Sequence, residues 1–207
     1  MATSGWAFGV AISGEYAYVA DYTAGLAIIH VADPQHPQLV GSYDLAELNY
    51  AYDVAVSGDY AYLAYDTSGL RVVSVSNPAS PQEVGFVDTP GNALSVTVSG
   101  SYAYVADRFA GVRVIDVSAP AAPFEAGFYD TPDTAEQVSL DNGYLYVADS
   151  SYLSGRGGLR ILSIANPIAP VLLGFYDTLG VSTGVAAAGG QAYLADGWAD
   201  LYVLDYW

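Results

Sequence analysis

One hexapeptide, Tyr-Ala-Tyr-Val-Ala-Asp from Tyr16, returns in near copies at Tyr60, Tyr102, Tyr144 and Gln191. Its second tyrosine falls at Tyr18, Tyr62, Tyr104, Tyr146 and Tyr193, a period of 42 to 47 residues. A unit of that size, written in strands, is a propeller blade: it cannot bury its apolar faces alone and must stack on its neighbours. The repeat therefore specifies the scaffold and leaves function to whatever departs from it.

Each unit holds four short runs separated by turn residues, the pattern of strands. The first is Val54 to Ser57, matched at Val10, Val96, Val138 and Val185; the second is the tyrosine run. The third alternates around branched residues, as in Val112 to Val117, and the fourth follows a Pro-x-x-Pro element, as in Glu83 to Asp88. Ser57-Gly58 and Ser99-Gly100 suit tight hairpins. Gly25, Gly69, Gly111 and Gly158 recur before the third strand, where a positive φ is expected. The proline pairs Pro34/Pro37, Pro78/Pro81, Pro120/Pro123 and Pro167/Pro170 mark the crossing to the outer strand, since proline cannot donate to a ladder.

The third strand and its sequel, Leu70-Arg71-Val72-Val73-Ser74-Val75-Ser76-Asn77-Pro78 and Val112-Arg113-Val114-Ile115-Asp116-Val117-Ser118-Ala119-Pro120, resemble the bacterial LVIVD-repeat β-propellers. With the flanking tyrosine and Gly-Phe-Tyr-Asp-Thr segments, the resemblance covers essentially the whole chain. It implies an exported or cell-surface protein and no single catalytic activity.

First, second and third strands occur five times, the fourth only four times, at Leu39, Glu83, Glu125 and Leu172. The expectation is one all-β domain over 1–207, a five-bladed β-propeller of four-stranded repeats with blades near 6–45, 50–89, 92–131, 134–178 and 182–207. It is read as a ring whose last blade lacks its outer strand. Leu201, Tyr202, Val203, Leu204, Tyr206 and Trp207 then form an unprotected, aromatic-rich edge suited to strand pairing. Thr3-Ser4-Gly5 looks like the tail of a fourth strand.

The net charge is −17, from 22 acidic residues, five arginines and no lysine. Such a surface repels phosphate backbones, so nucleic acid and anionic membrane are poor partners. No apolar run approaches the roughly 20 residues of a membrane span. Much of the acid falls on one face: Asp21, Asp66, Asp107, Asp149 and Asp196 at second-strand ends, and Asp44, Asp88, Asp130 and Asp177 at fourth-strand ends. Antiparallel pairing predicts ion pairs Arg71–Asp88, Arg113–Asp130 and Arg160–Asp177. Ala27 and Tyr202 replace the arginine in blades one and five, which leaves Asp44 and Asp196 without that counter-charge.

The starts of the innermost strands should surround a central opening, and they break the repeat: Tyr52-Asp53, Glu136-Gln137, Phe8-Gly9, Leu94-Ser95 and Thr183-Gly184. Asp53 and Glu136 are the candidate metal ligands there, with calcium the ion that carboxylates suit; no other cofactor is expected. A second deviation is the loop Ser150 to Gly157, five residues longer than its equivalents.

Catalysis finds little support. There is no cysteine, the two histidines are His30 and His36, and no hydroxyl sits in a nucleophile elbow. A glycoside hydrolase using Asp53 with Glu136 is the weakest alternative. The leading expectation is a non-catalytic interaction or assembly module that binds copies of itself or another protein at the edge of blade five. The alternative is glycan or calcium recognition at the mouth formed by Tyr52, Asp53, Glu136 and Gln137.

Overall fold

The computed structural model describes residues 3–45, 49–151, 156–197 and 200–205. Among these described residues are nineteen strands in five antiparallel sheets, four of four strands and a last one of three. In the second blade, Asp53–Ser57 (β5), Tyr60–Ala64 (β6), Leu70–Ser74 (β7) and Gln82–Val87 (β8) follow one another across the sheet. Gly9–Ser13, Tyr16–Ala20, Leu26–His30 and Gln38–Tyr43 (β1–β4) form the first blade. Ser95–Ser99, Tyr102–Ala106, Val112–Asp116 and Phe124–Tyr129 (β9–β12) form the third. Thr134–Asp141, Tyr144–Ser151, Arg156–Ser163 and Val171–Thr178 (β13–β16) form the fourth. Ser182–Ala188, Gln191–Asp196 and Asp200–Asp205 (β17–β19) form the fifth, whose last strand pairs only with β18 among the described residues.

Strand alternation gives each sheet two apolar faces, and each face meets the next blade. Tyr18, Leu26 and Ile28 of blade one pack on Val54, Leu63 and Val73 of blade two. Tyr62, Leu70 and Val72 repeat the contact on Val96, Val105 and Ile115, and blades three and four continue it. Innermost strands stack in sequence, β1 on β5, β5 on β9, β9 on β13 and β13 on β17.

The expectation of a ring needs one correction. No comparable packing links β17 back to β1 among the described residues, so the blades form an open arc. Val10 and Ile12, which correspond to the core positions Val54 and Val56, are 64% and 66% exposed. Val54 is 3% exposed because it has a preceding blade to pack on.

Two local expectations also change. Gly25, Gly69 and Gly111 have φ of 67°, 67° and 71°. Gly158 does not share that conformation, because it lies inside β15, opposite Asp149 and Asp177. The long loop of blade four is instead an extended hairpin, with Ser150 paired to Gly157 and Ser151 to Arg156. Residues 152–155 of that loop lie outside the described residues.

Candidate functional site

Two places depart from the repeat: the mouth of the central opening and the outer side of blade five. At the mouth, all five blades contribute to one pocket of about 380 Å³. Its walls include Phe8, Tyr52 and Asp53, Ser95, Glu136 and Gln137, and Thr183. Arg108, from the turn after β10, reaches the same space and adds a cation beside the carboxylates. Its φ is 52°, and its carbonyl accepts the Ala135 N–H at 3.0 Å, which holds that turn to the next blade.

The polar groups of this mouth are largely engaged. Asp53 accepts hydrogen bonds from Ser95 Oγ at 2.7 Å and from the backbone N–H groups of Val54 (2.8 Å) and Val96 (3.1 Å). Burial raises its pKa against the pull of those three donors. Gln137 Oε1 accepts the Val185 N–H at 2.7 Å, and Ser95 Oγ the Val138 N–H at 3.4 Å. At successive junctions, a side chain opening one inner strand thus bonds the backbone of the next blade. The Asp53 and Gln137 singled out as ligand groups are inter-blade ties. Glu136 accepts from Ser150 Oγ at 3.3 Å, and burial raises its pKa while Arg108 opposes the shift. No three His, Asp or Glu side chains come together as a metal site among the described residues.

Tyr52 belongs to an aromatic cluster that sequence patterning did not reveal. Tyr22 stacks on Tyr50 with centroids 4.1 Å apart, and Trp6 stacks on Tyr22 at 5.7 Å. Phe8 meets Tyr52 edge-on at 5.4 Å. Trp6 and Phe8 remain largely exposed. The rings come from three separate segments, so no single sequence window shows the cluster.

Most second-strand aspartates are not surface charge. Asp107 is fully buried and accepts Thr89 Oγ1 at 2.6 Å and the Gly91 N–H at 2.8 Å. Asp21 holds Thr3 and Gly5 in the same way, and Asp196 holds Thr178, Gly180 and Ser182. Each carboxylate latches the linker that enters its blade, and Thr3-Ser4-Gly5 is such a linker. In blade two the equivalent residue is Tyr65, not Asp66; its hydroxyl donates to Asp44 at 2.5 Å. Asp44 and Asp196 therefore lack an arginine but have hydrogen-bond donors.

The three recurring arginines contact the expected aspartates, Arg71–Asp88 at 3.2 Å, Arg113–Asp130 at 3.4 Å and Arg160–Asp177 at 3.1 Å. Each also lies over a phenylalanine of the outer strand, Phe86, Phe128 or Phe175. Arg160 additionally bonds the buried Asp149 at 3.1 Å. The recurrent Gly-Phe preceding the fourth-strand aspartates was the available signal for the stacking.

At blade five the apolar edge divides between two sides. Tyr202 and Leu204 turn toward blade four, with the Tyr202 ring 5.7 Å from that of Tyr176. Leu201 and Val203 face outward, 59% and 51% exposed, and Tyr193 is 37% exposed. Their equivalents Leu70, Val72 and Tyr62 are buried beneath blade three. Tyr206 and Trp207, the remaining members of the expected edge, lie outside the described residues.

The LVIVD repeat matches this chain five times, at residues 4–45, 49–89, 90–131, 133–178 and 179–206. Among solved structures, the chain is similar to Kuenenia stuttgartiensis hydrazine synthase, with a TM-score of 0.74 at 14% identity. That match covers 99% of this chain but spans only 64% of the length of the other. The computationally designed Ika8 protein matches with a TM-score of 0.63 at 8% identity, over 96% of this chain and 70% of that one. The designed Ika4 protein matches with a TM-score of 0.62 at 7% identity, over 77% and 92%. These likenesses concern the fold. No curated protein sequence matches the chain.

Proposed function

We propose that this chain, which belongs to the LVIVD-repeat family, is a non-catalytic assembly module that associates with further copies of itself through blade five. A repeat propeller of this kind is a scaffold for binding, and its free surfaces decide what is bound. The observation that carries the reading is the pair of unmatched faces. Tyr193, Leu201 and Val203 form the half-interface that Tyr62, Leu70 and Val72 present inside the arc. Val10 and Ile12 form the other half, the one that Val54 supplies internally.

Blade five of one copy therefore fits blade one of the next. The contact is heterologous, so it generates closed rings or open filaments. Burial of each large apolar side chain contributes about 1.5–3 kcal/mol, which makes the face sticky in water. The net charge of −17 opposes association at long range, and salt strengthens it by screening. An exported or surface location accords with the family, and the acid excess argues against nucleic-acid partners.

Sedimentation velocity across a concentration series tests this. Concentration-dependent association is expected, with Leu201→Asp and Val10→Asp each leaving monomers. A monomer at every concentration, unchanged by either substitution, refutes it.

The aromatic ledge at the mouth favours a second reading, glycan recognition. Exposed Trp6 and Phe8 beside Tyr52 offer flat apolar faces, with Glu136 and Arg108 at hand for hydroxyl groups. A glycan array hit lost on Trp6→Ala would support it, and an array without hits would remove it.

A further inference from the structure

The outer side of the junction between blades four and five differs from the three junctions before it. Each outer strand carries a glycine at the same position: Gly41, Gly85, Gly127 and Gly174. The first three lie directly beneath the proline turn of the following blade. A Cβ added at Gly41 would fall 2.0 Å from the carbonyl oxygen of Pro78, at Gly85 2.4 Å from that of Pro120, and at Gly127 1.9 Å from that of Ile168. No side chain fits there, which is why the position is glycine. At Gly174, nothing among the described residues lies within 4 Å.

The uncovered position opens into a groove of about 510 Å³. It runs between Leu173 and Tyr176 of β16, Tyr144 and Ile161 behind them, and Val203 and Leu204 of β19. Leu173 and Tyr176 are 57% and 44% exposed, whereas Val40 and Tyr43, their equivalents in blade one, are partly covered. Along one wall, β19 is bonded among the described residues to β18 alone, and its outer N–H and C=O groups face the groove side where another strand can pair.

We infer that this groove is a receptor for an extended segment of another protein, one that opens with a Pro-x-x-Pro turn and continues as an apolar strand. The inference rests on reading blade five as an interaction site. The molecule itself supplies the template for the occupant. In blade two the turn Asn77-Pro78-Ala79-Ser80-Pro81, tied by the Ser80 N–H to Asn77 C=O bond at 2.9 Å, covers Gly41. Gln82–Val87 then continues into the sheet beside β7. A segment docked at blade five would place its turn over Gly174 and pair its strand with β19, a β-augmentation. Tyr202 replaces the arginine of blades two to four, so the strand would have no use for the aspartate that follows Val87. The ligand is apolar and need not be acidic.

The test uses the whole chain and a labelled synthetic peptide of residues 76–87, with a scrambled peptide as control, followed by fluorescence anisotropy at protein concentrations where the chain is monomeric. Saturable binding in the micromolar range is expected for the first peptide and not for the second. Gly174→Ala has free space for its methyl group, so the melting temperature should hold, while the turn it blocks should bind at least tenfold more weakly. No saturation up to about 1 mM peptide, or equal binding by wild type and Gly174→Ala, overturns the inference. Self-association that disappears in Gly174→Ala assigns the groove to a second copy and overturns it as well. Loss of association in Leu201→Asp reads the separate outward face, so the two readings fail independently.

Discussion

Blade two and blade five are built from the same repeat, yet the same residue types lead different lives in them. Leu70 and Val72 are fully buried between two neighbours; Leu201 and Val203, at the same positions of blade five, are more than half exposed. The β8 glycine, Gly85, lies beneath the turn of the next blade; the corresponding Gly174 has nothing over it among the described residues. Local sequence makes the strand, but a neighbouring blade makes the core. A position in a repeat therefore has no fixed energetic weight, and its weight is set by what stacks on it.

The largest expected difference is between two leucines. Leu70→Ala should cost about 2–5 kcal/mol in urea unfolding, the range for a fully buried leucine. Leu201→Ala, measured on the monomer, should stay within about 0.5 kcal/mol. Equal effects would mean that blade five has a covered core. Next come the glycines. Gly127→Ala drives a methyl group into the Ile168 carbonyl and should cost about 1–3 kcal/mol, whereas Gly174→Ala should be neutral or slightly stabilising. Loss of stability at Gly174 would place an unseen contact there.

Smaller effects separate buried from exposed acids. Thr89→Val strips the buried Asp107 of a donor and should cost about 1–3 kcal/mol, while Asp88→Ala, at the exposed end of an arginine pair, should cost about 0–1 kcal/mol. The pH dependence follows from the same burial. Desolvation raises the pKa values of Asp53, Asp107, Glu136 and Asp149 in the folded state. Between the ordinary carboxylate value, about 4, and the raised one, the folded protein binds more protons than the unfolded chain. Stability contributed by these groups therefore falls as pH rises through that window. The melting temperature should increase on mild acidification from neutral pH, with a shallower slope in Asp107→Asn. A melting temperature that drops over the same interval would contradict the assignment.

Strand order was legible because valine alternation, hairpin glycines and proline pairs repeat in register. Even the third-strand arginines could be assigned partners from antiparallel geometry. What the pattern concealed lies between sheets. Asp53 bonds Ser95 across 42 residues and Gln137 bonds Val185 across 48, so each contact joins residues about one period apart. Counting acids as surface charge failed for Asp21, Asp107, Asp149 and Asp196 because a tyrosine-run end is buried by the linker folded over it. Tyr65 was hidden by the neighbouring Asp66, which mimics the repeat one residue out of register. The open arc was equally invisible, since burial of Val10 depends on a surface far away in the chain.

The aspartate latch also orders events in time. Asp107 grips Thr89, which was made 18 residues earlier, and Asp21 and Asp196 bear the same relation to Thr3 and Thr178. A nascent chain emerging from the ribosome cannot fasten the exit of one blade until the second strand of the following blade has appeared. Consolidation would then travel in the direction of translation, one blade behind synthesis.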